Sequence, residues 1–309
     1  MRTLNVAESS GAPVIRETTS RPQPGRGELL IRVWAAGVIP TETSWYPTLH
    51  CKDGEPRNGA VLGHEFSGVV EAVGQDVGSL ELGREVYGMN DWFADGAMAD
   101  YCIAPFFAVA PKPERLSHVE AASVPISALT AWQGLFDHAR LRPGERVLIH
   151  GGSGAVGSFA VQLAHQHGAH VIATASSVNA GLVTELGADQ VVDYRTQRFD
   201  ELFKDFDVVF DTVGGDTLER SWTVLKPGGR LVTVVSTAEG STDPRVAKAF
   251  FIVEPNQKQL FEIACLVDRG EIQTVVDAVI ALSEAPDVYA GKAPRRHQGK
   301  MVVSLATLQ

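Results

Sequence analysis

Cysteine is scarce, basic charge is in deficit, and no long apolar run occurs. The 309 residues hold three cysteines, Cys51, Cys102 and Cys265, widely separated and odd in number. That excludes a disulfide framework and any Cys-x-x-Cys metal pair, and a reducing cytoplasmic setting is expected. Lys and Arg total 27 against 37 Asp and Glu, for a formal net charge of −10. Nucleic acid and anionic membrane both need basic surface, so neither is expected as a partner. No apolar stretch is long enough to span a bilayer, and the start, Met1-Arg2-Thr3-Leu4-Asn5-Val6-Ala7-Glu8, lacks a signal-peptide core. The chain is expected to be soluble and unexported.

What is present is a 44% hydrophobic composition, ample for a large core at a length that suggests two domains. Up to about Pro113, short β-type runs at Leu29–Ala35, Phe66–Val73, Glu85–Gly88 and Ala99–Ile103 are punctuated by Gly and Pro. Apolar spacing turns helical between Ser117 and Leu141. From Arg146, short apolar runs alternate with amphipathic stretches: Val147–His150, Val171–Thr174, Val191–Tyr194, Val208–Asp211 and Leu231–Val235. Alternation of this kind makes parallel βαβ units in a doubly wound sheet. A helix is predicted from Asn256 to Arg269 with Leu260, Ile263, Ala264 and Val267 on one face, then a loop from Ala285 to Gln298. A last strand, Lys300–Leu305, is expected to return to the first domain.

The strongest local signal is Val147-Leu148-Ile149-His150-Gly151-Gly152-Ser153-Gly154-Ala155-Val156-Gly157. Gly152, Gly154 and Gly157 form G-x-G-x-x-G between a strand and a helix that shows Val156, Phe159, Ala160, Leu163 and Ala164 on one face. In that setting the turn admits a pyrophosphate to the backbone and holds it at a helix N-terminus. A hydrolase elbow would need Gly at position 155, which is Ala. A methyltransferase would want an acid after the second strand. So would an NAD site, and this chain has Thr174-Ala175-Ser176-Ser177-Val178-Asn179 there. Ser176, Ser177 and Asn179 can donate to a 2′-phosphate without like-charge repulsion, which favours NADP(H). The Lys or Arg that many such sites carry is missing, and Arg195 is the candidate substitute.

In fixed order the chain also carries Gly63-His64-Glu65-Phe66-Ser67-Gly68, Ala128-Leu129-Thr130-Ala131-Trp132, Leu186-Gly187-Ala188-Asp189, Lys226-Pro227-Gly228-Gly229-Arg230 and Gly299-Lys300-Met301-Val302-Val303. With the glycine turn, these make it resemble the medium-chain dehydrogenase/reductase superfamily, in its zinc-independent quinone oxidoreductase-like, enoyl-reductase-type branch. The resemblance implies an α/β fold with a GroES-like β-rich catalytic domain, 1–117 completed by 255–309, around a Rossmann NADP-binding domain, 118–254. It implies a homodimer, and a small-molecule enone or quinone as substrate. It implies that Ser153, Gly154, Ala155 and Val156 meet the pyrophosphate and that Ser176, Ser177, Asn179 and Tyr194 meet the adenosine phosphate. Val213, Val235, Ser236 and Phe251 fall to the ribose and nicotinamide half, with Thr130 packed against the nicotinamide.

Zinc-dependent members carry a Cys where this chain has Val38-Ile39-Pro40-Thr41-Glu42, a further ligand where it has Val124-Pro125-Ile126, and a four-cysteine lobe absent between Tyr87 and Tyr101. One imidazole, His64, cannot hold a catalytic zinc, so no metal is expected and His64 is read as hydrogen-bonded near the cleft. Hydride delivery to a conjugated acceptor then needs a hydrogen-bond donor for the developing enolate, and Tyr46 is the first choice. A short-chain reductase is excluded because no tyrosine has Lys four positions on. Two alternatives stay open: a nucleotide-binding sensor or structural protein without turnover, and an alcohol dehydrogenase-like enzyme.

Overall fold

The computed structural model of the chain describes residues 1–7, 11–78, 81–292 and 298–305. A hairpin of β1 (Arg2–Val6) and β2 (Pro13–Glu17) leads into a seven-stranded sheet. Its order is β13-β14-β3-β4-β5-β7 with β6 on β3, where β3 is Glu28–Gly37, β4 Glu65–Val73, β5 Glu85–Met89, β6 Tyr101–Pro105, β7 Val109–Pro111, β13 Val276–Ala281 and β14 Lys300–Ser304. The long strand β3 serves two neighbours on one side. Its first half pairs with β6 and, beyond an irregularity between Val33 and Ala35, its last residues pair with β14. The returning last strand therefore joins the first sheet, as expected. The hairpin strands and β13 were not anticipated: Ile15 and Val279 are exposed, so their alternation is weak.

Between the two contributions to that sheet lies a five-stranded parallel sheet in the order β10-β9-β8-β11-β12. Its strands are β8 (Arg146–His150), β9 (His170–Ala175), β10 (Gln190–Asp193), β11 (Phe206–Asp211) and β12 (Leu225–Thr233). Central strands β8 and β11 are apolar and fully buried at Val147, Leu148, Ile149, Val208, Val209 and Phe210, as expected where helices cover both faces. The last strand begins earlier than its apolar run suggested. Pro227-Gly228-Gly229 loops out between Leu225 and Arg230, and the register with β11 jumps there. The strand stops at Thr233, so Val234 and Val235 lie beyond it.

One core joins the two sheets, containing Tyr87 and Met89 from one side and Val147, Ile149 and Phe210 from the other. The helix Pro125–Trp132 crosses this seam and runs into a π-helical turn, Gln133–His138. Gly134 lets this turn pack on β11, because a Cβ there would lie 2.0 Å from the Phe210 ring. The helix Gln257–Asp268 buries Leu260, Ile263, Ala264 and Val267, the face its periodicity predicted, and starts at an Asn256 cap. One expectation is corrected: the stretch from Ala285 is not simply loop, since Ala285–Tyr289 is a helix that buries Ala285 and Val288 against the first sheet. Five residues is too short for helical spacing to register, and Pro286 at the start reads as a loop residue unless it is the first turn. The remainder of that stretch, 293–297, lies outside the described residues.

Candidate active site

Strand order reverses between β8 and β11, and a ligand crevice is expected at the carboxyl ends of strands flanking such a reversal. The glycine turn follows β8 there. Gly151 adopts φ +73°, which only glycine takes without strain. A Cβ on Gly152 would meet Ala173 Cβ at 2.9 Å, and one on Gly157 would lie 2.1 Å from the Gly151 carbonyl oxygen. At Gly154 the only close atom would be Gly151 O at 3.3 Å. Gly154 is the N-cap of the twelve-residue helix Ala155–Gln166, and no side chain caps that end. The amides of its first turn are thus left for an anion. This cradle fits the pyrophosphate of a dinucleotide.

The turn is held by buried polar groups. Gly152 N donates to Thr174 O (2.9 Å) and Gly151 N to Thr174 Oγ1 (3.2 Å). His150 is fully buried between Thr174 Oγ1 (3.2 Å from Nδ1) and Ser221 Oγ (3.0 Å from Nε2), edge-on to Phe199. Burial, with the nearby Arg220 charge second, pushes its imidazole down to about 3, so the ring is neutral. Beside it, Asp211 is fully buried and accepts from Val213 N (3.0 Å), Gly214 N (3.1 Å) and Thr233 Oγ1 (2.8 Å), shaping the loop after β11.

At the end of β9, Ser176 is buried, Ser177 is exposed, and Asn179 Nδ2 donates to Ser153 Oγ (3.2 Å), joining this loop to the glycine turn. Tyr194 and Arg195 follow the adjacent strand, whose register sets Asp193 beside Ala175. Both are exposed, and the Arg195 guanidinium lies 5.8 Å from the Tyr194 ring centre. The carboxylate nearest in register, Asp193, is turned to its own backbone and accepts from Arg195 N (3.0 Å). Val213 (54% exposed), half-buried Val235 and exposed Ser236 stand at the carboxyl ends of β11 and β12.

Two predicted contacts are placed differently from the rest. The Phe251 ring is buried and stacks on His138 with centroids 4.2 Å apart, which is a packing position. Thr130 is buried within its helix, and its hydroxyl donates back to Ile126 O (2.6 Å), leaving a methyl for packing and no free proton.

The facing wall comes from the first sheet. His64 is buried, with Nδ1 3.0 Å from Glu42 Oε2 and Nε2 3.2 Å from Trp92 O. Both ring nitrogens face acceptor oxygens, so neither is turned to an open coordination position. Among the described residues, no group of three or more His, Cys, Asp or Glu side chains converges to hold a metal ion. Glu42 is fully buried and also accepts from Gly63 N (3.1 Å) and the Tyr289 hydroxyl. Burial first, then the Glu42 carboxylate, holds the Tyr289 phenol well above its ordinary range. Glu65 accepts from Ile126 N (2.9 Å) at the start of the seam helix and is paired with Lys300, both buried. Gly299, next to Lys300, donates to Ser153 O (2.7 Å), so this corner abuts the glycine turn.

Tyr46 is 53% exposed, stacked on His50 at 4.2 Å and edge-on to Phe93 at 6.5 Å. It is a surface phenol, not a packed core ring. Sequence reasoning missed Glu42, Tyr289 and the Glu65–Lys300 pair as one polar corner. No local signal marked it, because Glu42 sits between Thr41 and Thr43 and Tyr289 lies 247 positions away from it.

Residues 25–114 match the family model of an alcohol dehydrogenase GroES-like domain, and residues 186–303 match that of a zinc-binding dehydrogenase. A mitochondrial NAD(P)H oxidoreductase, RTN4IP1 of Danio rerio, is 30% identical over 90% of this chain and 84% of its own length. The solved quinone oxidoreductase of Coxiella burnetii superposes with a TM-score of 0.85 at 30% identity, covering 99% of each chain. The CurK enoyl reductase structure gives 0.84 at 25% identity, over 98% of this chain and 99% of that one. The chain therefore belongs to the medium-chain dehydrogenase/reductase superfamily, in its quinone oxidoreductase-like branch, and is an oxidoreductase with quinone and enoyl reductase relatives.

Proposed function

We propose that this oxidoreductase uses NADPH, without zinc, to reduce an activated C=C bond or a quinone. The observation that carries the reading is the use made of His64, whose two nitrogens are engaged by Glu42 and the Trp92 carbonyl. Reduction of a simple ketone, or oxidation of an alcohol, asks for an electrophile on the oxygen. A conjugated acceptor delocalises the incoming electron pair and asks only for positioning and hydrogen bonds. The printed names of two solved relatives, a quinone oxidoreductase and an enoyl reductase, support the choice of a conjugated acceptor.

The division proposed is a nucleotide unit, 118–254, and a substrate unit, 1–117 with 255–309, assembled as a cytoplasmic homodimer. When bound, the reduced nicotinamide supplies a hydride. The chain's own residues do the rest. Ser153, Gly154, Ala155 and Val156 meet the pyrophosphate, which the uncapped amides at the start of the helix Ala155–Gln166 hold. Ser176, Ser177 and Asn179, with Tyr194 and Arg195 alongside, receive the 2′-phosphate, and no competing carboxylate ends β9. Val213, Val235 and Ser236 border the nicotinamide half, and the Thr130 methyl packs near it. Tyr46 donates a hydrogen bond to the oxygen on which charge develops, and solvent at this open rim completes protonation.

The test is NADPH oxidation with a panel of quinones, enones and simple ketones, and NADP+ reduction with plain alcohols, in a strong chelator. Turnover confined to conjugated acceptors and insensitive to chelation is expected. Robust alcohol oxidation with no enone or quinone turnover would overturn the reading. Tyr46→Phe should lower kcat by roughly ten- to a thousandfold with NADPH affinity unchanged, and unchanged turnover would remove Tyr46 from the chemistry.

A further inference from the structure

Around His64, two loops of the first sheet bring together aromatic side chains that come from distant parts of the sequence. Trp45 meets Trp92 edge-on with centroids 5.4 Å apart, and both lean on the His64 ring, at 6.2 and 5.4 Å. Tyr46 and Phe93, the next residue in each loop, repeat the edge-on contact at 6.5 Å. Trp45 and Trp92 are half-buried, so part of each ring stays accessible. Trp92 packs, with Ile39, on the core that joins the two sheets. The assembly thus stands at the seam, next to the corner where Glu65, Lys300 and Gly299 reach the glycine turn.

The charges on the same loops point the same way. Lys52 is held by Asp91 at 2.9 Å and Arg57 by Asp95 at 2.7 Å, while Asp53 and Glu55 add further negative charge. Both basic side chains of these loops are thus already paired with carboxylates, and the rim is acidic overall. A substrate carrying phosphates would meet repulsion here. An uncharged planar ring system would find aromatic edges and faces to pack against.

We propose that Trp45 and Trp92 are specificity-determining residues that select a flat, uncharged, aromatic conjugated carbonyl, such as a fused-ring quinone or an aryl enone, over aliphatic enones and over enoyl thioesters on phosphate-bearing carriers. The inference rests on the reductase reading above and narrows its substrate class. Trp45 is the residue to vary, because Trp92 also supports the core.

The experiment measures kcat/KM with saturating NADPH for phenanthrenequinone, ethyl vinyl ketone and crotonyl-CoA in wild type, Trp45→Leu and Trp45→Phe. Wild type should prefer phenanthrenequinone. Trp45→Leu should lower that value about tenfold, the size of one lost aromatic contact with its buried area, and leave ethyl vinyl ketone within about twofold. Trp45→Phe should keep most of the preference. A wild type that favours crotonyl-CoA or the aliphatic enone overturns the inference while leaving the reductase reading intact. So does a Trp45→Leu variant in which all values fall together. Absence of NADPH oxidation with all three overturns the reductase reading and the inference with it.

Discussion

On the side of the glycine turn the side chains are small: Gly152, Ser153 and Gly154 lead into the uncapped start of the helix Ala155–Gln166, with Ser176, Ser177 and Asn179 beyond them. On the side of the first sheet, Trp45, Tyr46, Trp92 and Phe93 cluster beside a buried charged corner of Glu42, His64, Glu65 and Lys300. The difference follows from what each side must recognise. A pyrophosphate is the same in every dinucleotide and is met by fixed backbone dipoles, which need room and a set geometry. A small carbonyl compound offers little beyond shape and one polar atom, so its wall is built from large rings that carry identity.

The two sides should break differently. The largest effect is expected in the charged corner. Glu42→Ala removes the acceptor of Gly63 N, His64 and Tyr289 in a buried place, and stability to urea should fall by about 3–5 kcal/mol. A loss under about 1 kcal/mol would show that the corner is open to water.

A histidine on the other side gives the next effect, and its sign is fixed by proton linkage. His150 stays neutral in the folded protein down to about 3, whereas the unfolded chain protonates it near 6.5. The unfolded state therefore binds more protons between those values, and stability falls as pH is lowered through that window. From pH 6.5 to 5 this contributes about 2 kcal/mol of loss. His150→Gln, which retains a partner for one hydroxyl, should show a shallower acid slope by urea titration, and equal slopes would mean that the ring is not held neutral.

Smaller again is the glycine pair. Gly157→Ala places a methyl 2.1 Å from a backbone oxygen, and such overpacking costs about 1–3 kcal/mol, seen as weaker NADPH binding and lower stability. Gly154→Ala meets only an atom at 3.3 Å and should do much less. Equal effects would mean that the turn does not have the geometry described.

The two sides also differed in how far they could be read from sequence. The glycine turn, the five strands of the parallel sheet and the missing acid after β9 were legible because each lies in one short stretch whose spacing is set by local geometry. The last strand, Lys300–Ser304, was legible as an apolar run, and its return to the first sheet followed from the family resemblance. The Glu42–His64–Tyr289 corner and the Trp45–Trp92 pair were not, since their members come from distant segments that only tertiary folding brings together. Tyr289 was hidden further by a helix too short to show a period. Phe251 was assigned to the cofactor by its place after the last strand of the parallel sheet. Its ring stacks on His138, in the π-helical turn, a contact that one-dimensional spacing does not announce.

The claim at the centre of this account is that the small donors after β9 receive a phosphate where an NAD enzyme would place a carboxylate. It is tested most directly by the ratio of kcat/KM for NADPH over NADH with one quinone, in wild type and in Ser176→Asp. Wild type should favour NADPH by about tenfold or more, the value of one or two charge-assisted hydrogen bonds, and Ser176→Asp should move the ratio toward NADH by weakening NADPH alone. Equal use of the two nucleotides by the wild-type protein, unchanged by Ser176→Asp, would contradict the account.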